Sequence, residues 1–190
     1  MDAAGVDRGI LLGFSEGGPM CLHFTATHPD RVQGLVLLGT TACWVQTEEF
    51  PIGIRRSTIE RLPSAWGEGV LRDLFFPSIS REQMDDATYR AFENLIGTRS
   101  GIRQVVQMMV ETDVRPLLPA IRVPTLVLHF TGDLAVPIRL GRALAEGLPN
   151  AEFVEVHAVD HADLSQSAEA VARVRAFCER CAAEDVGATP

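Results

Sequence analysis

Ile10-Leu11-Leu12-Gly13-Phe14-Ser15-Glu16-Gly17-Gly18-Pro19 is the stretch on which the fold turns: an apolar run ends in a G-x-S-x-G pattern, and a proline follows two residues later. Three fixed positions alone match by chance in roughly one chain in twenty of this length, since Gly and Ser are both common. A strand before and a helix after make coincidence much rarer. In such a turn the serine is strained so that its hydroxyl stands clear of the sheet, and side chains two residues to either side would collide, which explains Gly13 and Gly17.

Two further apolar runs, Leu35 to Leu38 and Thr125 to Leu128, lack polar alternation. Like Ile10 to Gly13, they read as central parallel strands covered on both faces. Phe153 to Val156 alternates Phe, Val, Glu, Val and reads as a strand near the sheet edge. Gly17 to Thr27 reads as a helix, with Pro19 in its first turn and a stop before Pro29; Leu140, Leu144 and Leu148 mark one face of another. Strand and helix in alternation predict an α/β fold with a mostly parallel sheet, helices on both faces and right-handed crossovers. The exception runs from 43 to 113, which offers several helix-like pieces and no convincing strand, and reads as an inserted helical lid. Its Trp44, Phe50, Trp66, Phe75 and Phe76 either line an apolar pocket or fasten the lid to the sheet.

The 190 residues carry a net charge of −8 with the acidic residues scattered, which argues against nucleic acid as a partner. No apolar run approaches the roughly 20 residues of a membrane helix, and the start is not signal-like, so the expected location is the cytoplasm and no membrane partner is expected. Cys178 and Cys181 form a CxxC, but Val171, Val174, Cys178 and Cys181 recur at helical spacing, so packing on a terminal helix is the preferred reading. No metal and no cofactor are expected.

A serine hydroxyl is a weak nucleophile until a base takes its proton, so a histidine and an orienting carboxylate should lie on loops after later strands. Asp133 in HFTGDLAVP follows the Thr125 strand, and His161 in VDHADL follows the Phe153 strand, completing the order Ser, Asp, His. His157 is the serious rival for the base. Asp160 is the next candidate acid, Asp160 and Asp163 otherwise reading as a helix cap or solvated loop. His23, His28 and His129 read as surface, helix-stop or packing residues, and Asp113 approaches a strand rather than leaving one.

The runs GFSEGGPMCLHFTATHPDRVQGLVLLGT, DVRPLLPAIRVPTLVLHFTGDLAVP and VDHADL resemble the α/β-hydrolase superfamily over essentially the whole chain, from the nucleophile elbow onward. Their flavour is that of hydrolase-like modules associated with class III adenylate cyclases. The resemblance implies Ser15 as nucleophile, Asp133 as acid and His161 as base, with the backbone N–H of Glu16 in the oxyanion hole. It also implies that about four strands and a second oxyanion donor precede the elbow in such proteins. The expectation is therefore a partial fold whose N-terminal strands are absent, a start codon open to question, and a chain that self-associates or pairs with an N-terminal half-domain. A cyclase or other regulatory partner is the further implication. The expected activity is hydrolysis of an ester or related acyl bond in a small molecule. A noncatalytic regulatory or binding module, a remnant of a hydrolase, and perhydrolase-like or C–C bond chemistry on the same triad are the alternatives.

Overall fold

The computed structural model describes residues 1–161 and 167–187. Four strands, β1 (Gly9–Phe14), β2 (Val32–Leu38), β3 (Thr125–Phe130) and β4 (Ala151–Val156), form one sheet in that order. All three pairings are parallel. Phe14 stands beside Leu38, Leu38 beside Leu128 and Leu128 beside Val154, so the strands end level. The loops that follow β1, β3 and β4 therefore open at one edge of the sheet, where ligands of open parallel sheets bind.

Period-two alternation divides the core into two layers. Leu35, Leu37 and Val127 pack with Leu22 of α1 (Gly17–Thr27), Leu118 and Leu144 on one face. Val36, Leu38, Leu126, Leu128 and Val156 face the C-terminal helix through Phe177 and Cys181. Because both faces are covered, β2 and β3 need no polar side chains, and every residue of β3 is buried. The two outer strands differ. β4 alternates, as its sequence suggests, whereas β1, read as a central strand, is an outer one among the described strands, as the expected absence of preceding strands implies, and Leu12 is 49% exposed.

Local signals place the helices. Pro19 sits in the first turn of α1, where a missing N–H breaks no helical bond, and the helix stops at His28 before Pro29. The 39–124 connection holds five helices: α2 (Arg56–Ile59), α3 (Leu62–Ala65), α4 (Arg72–Phe75), α5 (Asp86–Ile96) and α6 (Arg99–Glu111). The Asp85 and Thr98 side chains cap α5 and α6 by accepting from Thr88 N and Gly101 N at 2.7 and 3.1 Å. A bridge between Cys43 and Asp113, with Val114 N donating to Ala42 O at 2.9 Å, draws the two ends of this segment together. α7 (Ile138–Gly147) buries Leu140 and Leu144.

On α8 (Ala168–Gly187) the buried stripe is Ala170, Phe177 and Cys181, while Val171 is 36% exposed and Val174 and Cys178 are half-buried. The expected stripe is thus shifted by one residue at its start. No disulfide joins the four cysteines. Among the described residues no helix is long and apolar enough to cross a membrane, and no group of three His, Cys, Asp or Glu residues could hold a metal ion.

Candidate active site

Ser15 follows β1 and has φ +49°, the one positive value at a non-glycine position among the described residues. Such a conformation costs on the order of 1–2 kcal/mol, so the surroundings must hold it. Ser15 N–H donates to Leu38 O at 3.1 Å; Ser15 O accepts from Gly18 N at 3.1 Å and from Thr40 Oγ1 at 2.5 Å. A Cβ at Gly13 would come within 2.9 Å of the Gly18 backbone, which justifies that glycine. Gly17 is different, because a Cβ there would meet nothing within 4 Å. The second glycine that the turn requires is Gly18, whose Cβ would stand 2.0 Å from Thr40 Oγ1.

Asp133 lies in the loop after β3 with its side chain fully buried. Its Oδ1 accepts from Ala135 N and Val136 N at 2.9 and 2.8 Å, and its Oδ2 lies 2.7 Å from His161 Nδ1. With the carboxylate ionised, Nδ1 carries the proton and Nε2 presents a lone pair. His161 Nε2 is buried without a hydrogen-bond partner among the described residues. The imidazole lies between Phe14 and Phe75, at centroid distances of 4.9 and 5.8 Å, and its backbone N–H donates to Phe75 O at 2.9 Å. Gly39, at φ +52°, leaves room for it: a Cβ there would be 3.3 Å from His161 Cε1.

The structure brings Asp133 and His161 into contact and sets Ser15 on the same cavity as His161, with no Ser15–His161 hydrogen bond among the described residues. Such bonds are often long before a substrate is bound. The rivals lie elsewhere. His157 and His23 are exposed, and His28 is exposed against Phe24. Asp113 pairs with Arg115, and the Asp160 carboxylate is taken by Ser78 N and Oγ. Asp163 lies outside the described residues. His129 is fully buried, donating Nε2–H to Val136 O at 2.7 Å, and burial holds its pKa below the ordinary imidazole value. Glu16 is the exposed N-cap residue of α1, so its N–H is among the donors at the helix start.

The cavity has a volume of about 640 Å³, within the range of small-molecule sites. Trp44, Trp66, Phe75 and Phe76 line it, while Phe50 packs without lining it; the clusters that hold these aromatics join Trp44 and Phe50 to the β3–α7 loop and α7 and keep Trp66, Phe75 and Phe76 within the helical segment, so they line the pocket rather than fasten the segment to the strands. Glu16, Arg55 and Arg139 are the charged residues in its lining. Gly18, Gly39, Thr40 and Ser78 are the site residues that sequence reasoning missed. A glycine directly after the apolar run of β2 was the only local signal for any of them.

A parallel sheet with a strained serine after one strand and an Asp–His pair on the loops of two later strands defines a class of proteins by geometry alone. The model of the α/β-hydrolase fold family matches residues 1–167, and the chain belongs to that family. Among its relatives, the pimeloyl-[acyl-carrier protein] methyl ester esterase of Chromobacterium violaceum is 30% identical over 159 residues, covering 80% of this chain and 62% of that protein. The chain thus spans about three fifths of the length of that relative. The enol-lactonase from Burkholderia xenovorans superposes with a TM-score of 0.74 at 29% identity, over 93% of this chain and 68% of the other. A bromoperoxidase from Bacillus anthracis gives a TM-score of 0.78 at 20% identity, over 94% and 70% respectively, which is a likeness of fold.

Proposed function

We propose that the chain carries the site of a serine hydrolase acting on a carboxylic ester or related acyl bond. The observation that carries this reading is the buried Asp133–His161 contact of 2.7 Å, which leaves His161 Nε2 unpaired on the cavity that Ser15 lines. His161 Nε2 takes the Ser15 hydroxyl proton as Oγ bonds to the acyl carbon; Asp133 holds the imidazole tautomer and stabilises its charge. The Glu16 N–H stabilises the oxyanion. When the tetrahedral intermediate collapses, the carbon–alkoxide bond breaks and the imidazolium returns its proton to the leaving alcohol. Water, activated by the same imidazole, then frees the acid from Ser15.

The 43–113 segment serves as the lid that shapes the cavity, whose largely apolar lining suits a hydrocarbon acyl or alcohol group. That fits a relative whose name specifies a pimeloyl-[acyl-carrier protein] methyl ester. Arg55 and Arg139 are positioned to meet a substrate with an anionic end.

Labelling with a fluorophosphonate, which needs an activated serine and no known substrate, tests the reading. Adduct formation at Ser15 is expected, and none with Ser15→Ala. His161→Ala should abolish labelling and ester turnover while His157→Ala keeps most of both. Asp133→Asn should cost about 10⁴-fold in turnover, as the corresponding change does in serine proteases. An adduct on another serine, or wild-type rates for Asp133→Asn, refutes the assignment.

A further inference from the structure

Asp160 and Ser78 are 82 residues apart in sequence, yet they meet beside the candidate base. Asp160 is 3% exposed, and burying a carboxylate is unfavourable unless donors replace its water. Both oxygens are satisfied by one residue: Ser78 N donates to Oδ1 at 2.8 Å, and Ser78 Oγ donates to Oδ2. Three residues earlier, Phe75 O accepts the His161 N–H at 2.9 Å, and the Phe75 ring flanks the imidazole. The 75–78 segment thus grips the 160–161 dipeptide at two successive residues.

Among the described residues, the other hydrogen bond to that dipeptide is the His161–Asp133 contact at 2.7 Å, which holds the ring and not the backbone. Residues 157–160 belong to no helix or strand, and among the described residues their other backbone bonds run from Ala158 N to Val156 O and from Gly132 N to Ala158 O. Neither reaches Asp160 or His161. Leu74, Phe75 and Phe76 meanwhile line the cavity. The part of the helical segment that a bound substrate touches is therefore the part that holds the histidine.

We propose that Asp160 and Ser78 are positioning residues: a buried carboxylate–serine latch that couples the helical segment to His161 and sets its imidazole against Ser15. The inference rests on the hydrolase reading for its consequence, but not for its geometry. A lost charge-assisted bond is worth about 10- to 100-fold in an equilibrium. The test compares Ser78→Ala, Asp160→Asn and the conservative Ser78→Thr in the full chain by two measurements. One is hydrogen exchange of the His161 amide relative to that of Leu128 in the core, and the other is the rate of fluorophosphonate labelling at Ser15.

With Ser78→Ala and Asp160→Asn, His161 exchange is expected to rise at least tenfold while Leu128 is unchanged, and labelling to slow by a similar factor. Ser78→Thr, which keeps the hydroxyl, should restore both. Unchanged His161 exchange overturns the latch, as does faster exchange with an unchanged labelling rate. Acceleration of Leu128 exchange along with His161 also counts against it, because that reports general loosening. If the wild-type chain takes no label at all, the hydrolase reading is overturned, and faster His161 exchange in Ser78→Ala and Asp160→Asn then supports the latch on its geometry alone.

Discussion

At the scale of single residues, His129 is where burial and titration meet. Its ring has no exposed surface, its Nδ1 has no hydrogen-bond partner among the described residues, and a Cβ at Gly141 would come within 2.2 Å of that nitrogen. Through Val136 O, the ring holds the same loop whose N–H groups orient Asp133. Desolvation holds the His129 pKa below its ordinary 6.5, so between the two values the unfolded chain binds a proton that the folded chain refuses. Its contribution is therefore complete above pH 6.5 and is lost progressively as pH falls from 6.5 to the folded value, below which both states are protonated and the loss levels off. Urea denaturation at pH 7, 6 and 5 should show wild type losing stability with a slope of up to about 1.4 kcal/mol per pH unit from this group. His129→Gln should flatten the dependence. Equal slopes for the two proteins would show that His129 titrates alike in the folded and unfolded states.

The elbow between β1 and α1 makes a prediction at the scale of the element. Its two consecutive glycines are equivalent in composition and opposite in packing. Gly17 faces open space, whereas a methyl group at Gly18 would enter Thr40, whose hydroxyl holds the Ser15 carbonyl. Gly17→Ala should be neutral or stabilising by up to about 1 kcal/mol, because it removes backbone entropy from the unfolded chain. Gly18→Ala should cost about 1–3 kcal/mol, as overpacking does, and should slow phosphonate labelling at Ser15. Melting curves and labelling rates on the two variants check this. A Gly18→Ala chain as stable and as reactive as wild type would mean that Thr40 does not brace the turn.

Across the whole molecule, the sheet is asymmetric. β4 meets solvent with Glu152 and Glu155, which pair with Arg180 and Arg142 to make a polar edge, while β1 offers Leu12 at 49% and nearby Val6 at 40% exposure. β1 also presents an unpaired row of backbone donors and acceptors among the described residues, without a proline or lysine to deter pairing. The 190-residue chain is therefore expected to self-associate through β1. Sedimentation velocity at micromolar concentration should show concentration-dependent association, and Leu12→Lys should raise the monomer fraction. A compact monomer whose sedimentation is independent of concentration would contradict this.

The alternation of apolar runs with helical spacing, and the punctuation by Pro19 and Pro29, determined the α/β order and the approximate strand positions. These are short-range properties, recorded in neighbouring side chains. The order Ser15, Asp133, His161 was legible for the same reason, since each residue ends or follows a readable strand. What only the tertiary structure decided are relations between distant segments. It made Gly18 rather than Gly17 the glycine that the turn cannot lose, and gave Asp160 to Ser78 instead of His161. A serine in the 76–80 region and an aspartate beside a histidine carry no local mark of each other. Their pairing follows from where the chain folds back to bury a carboxylate, and contact across 82 residues leaves no spacing to read.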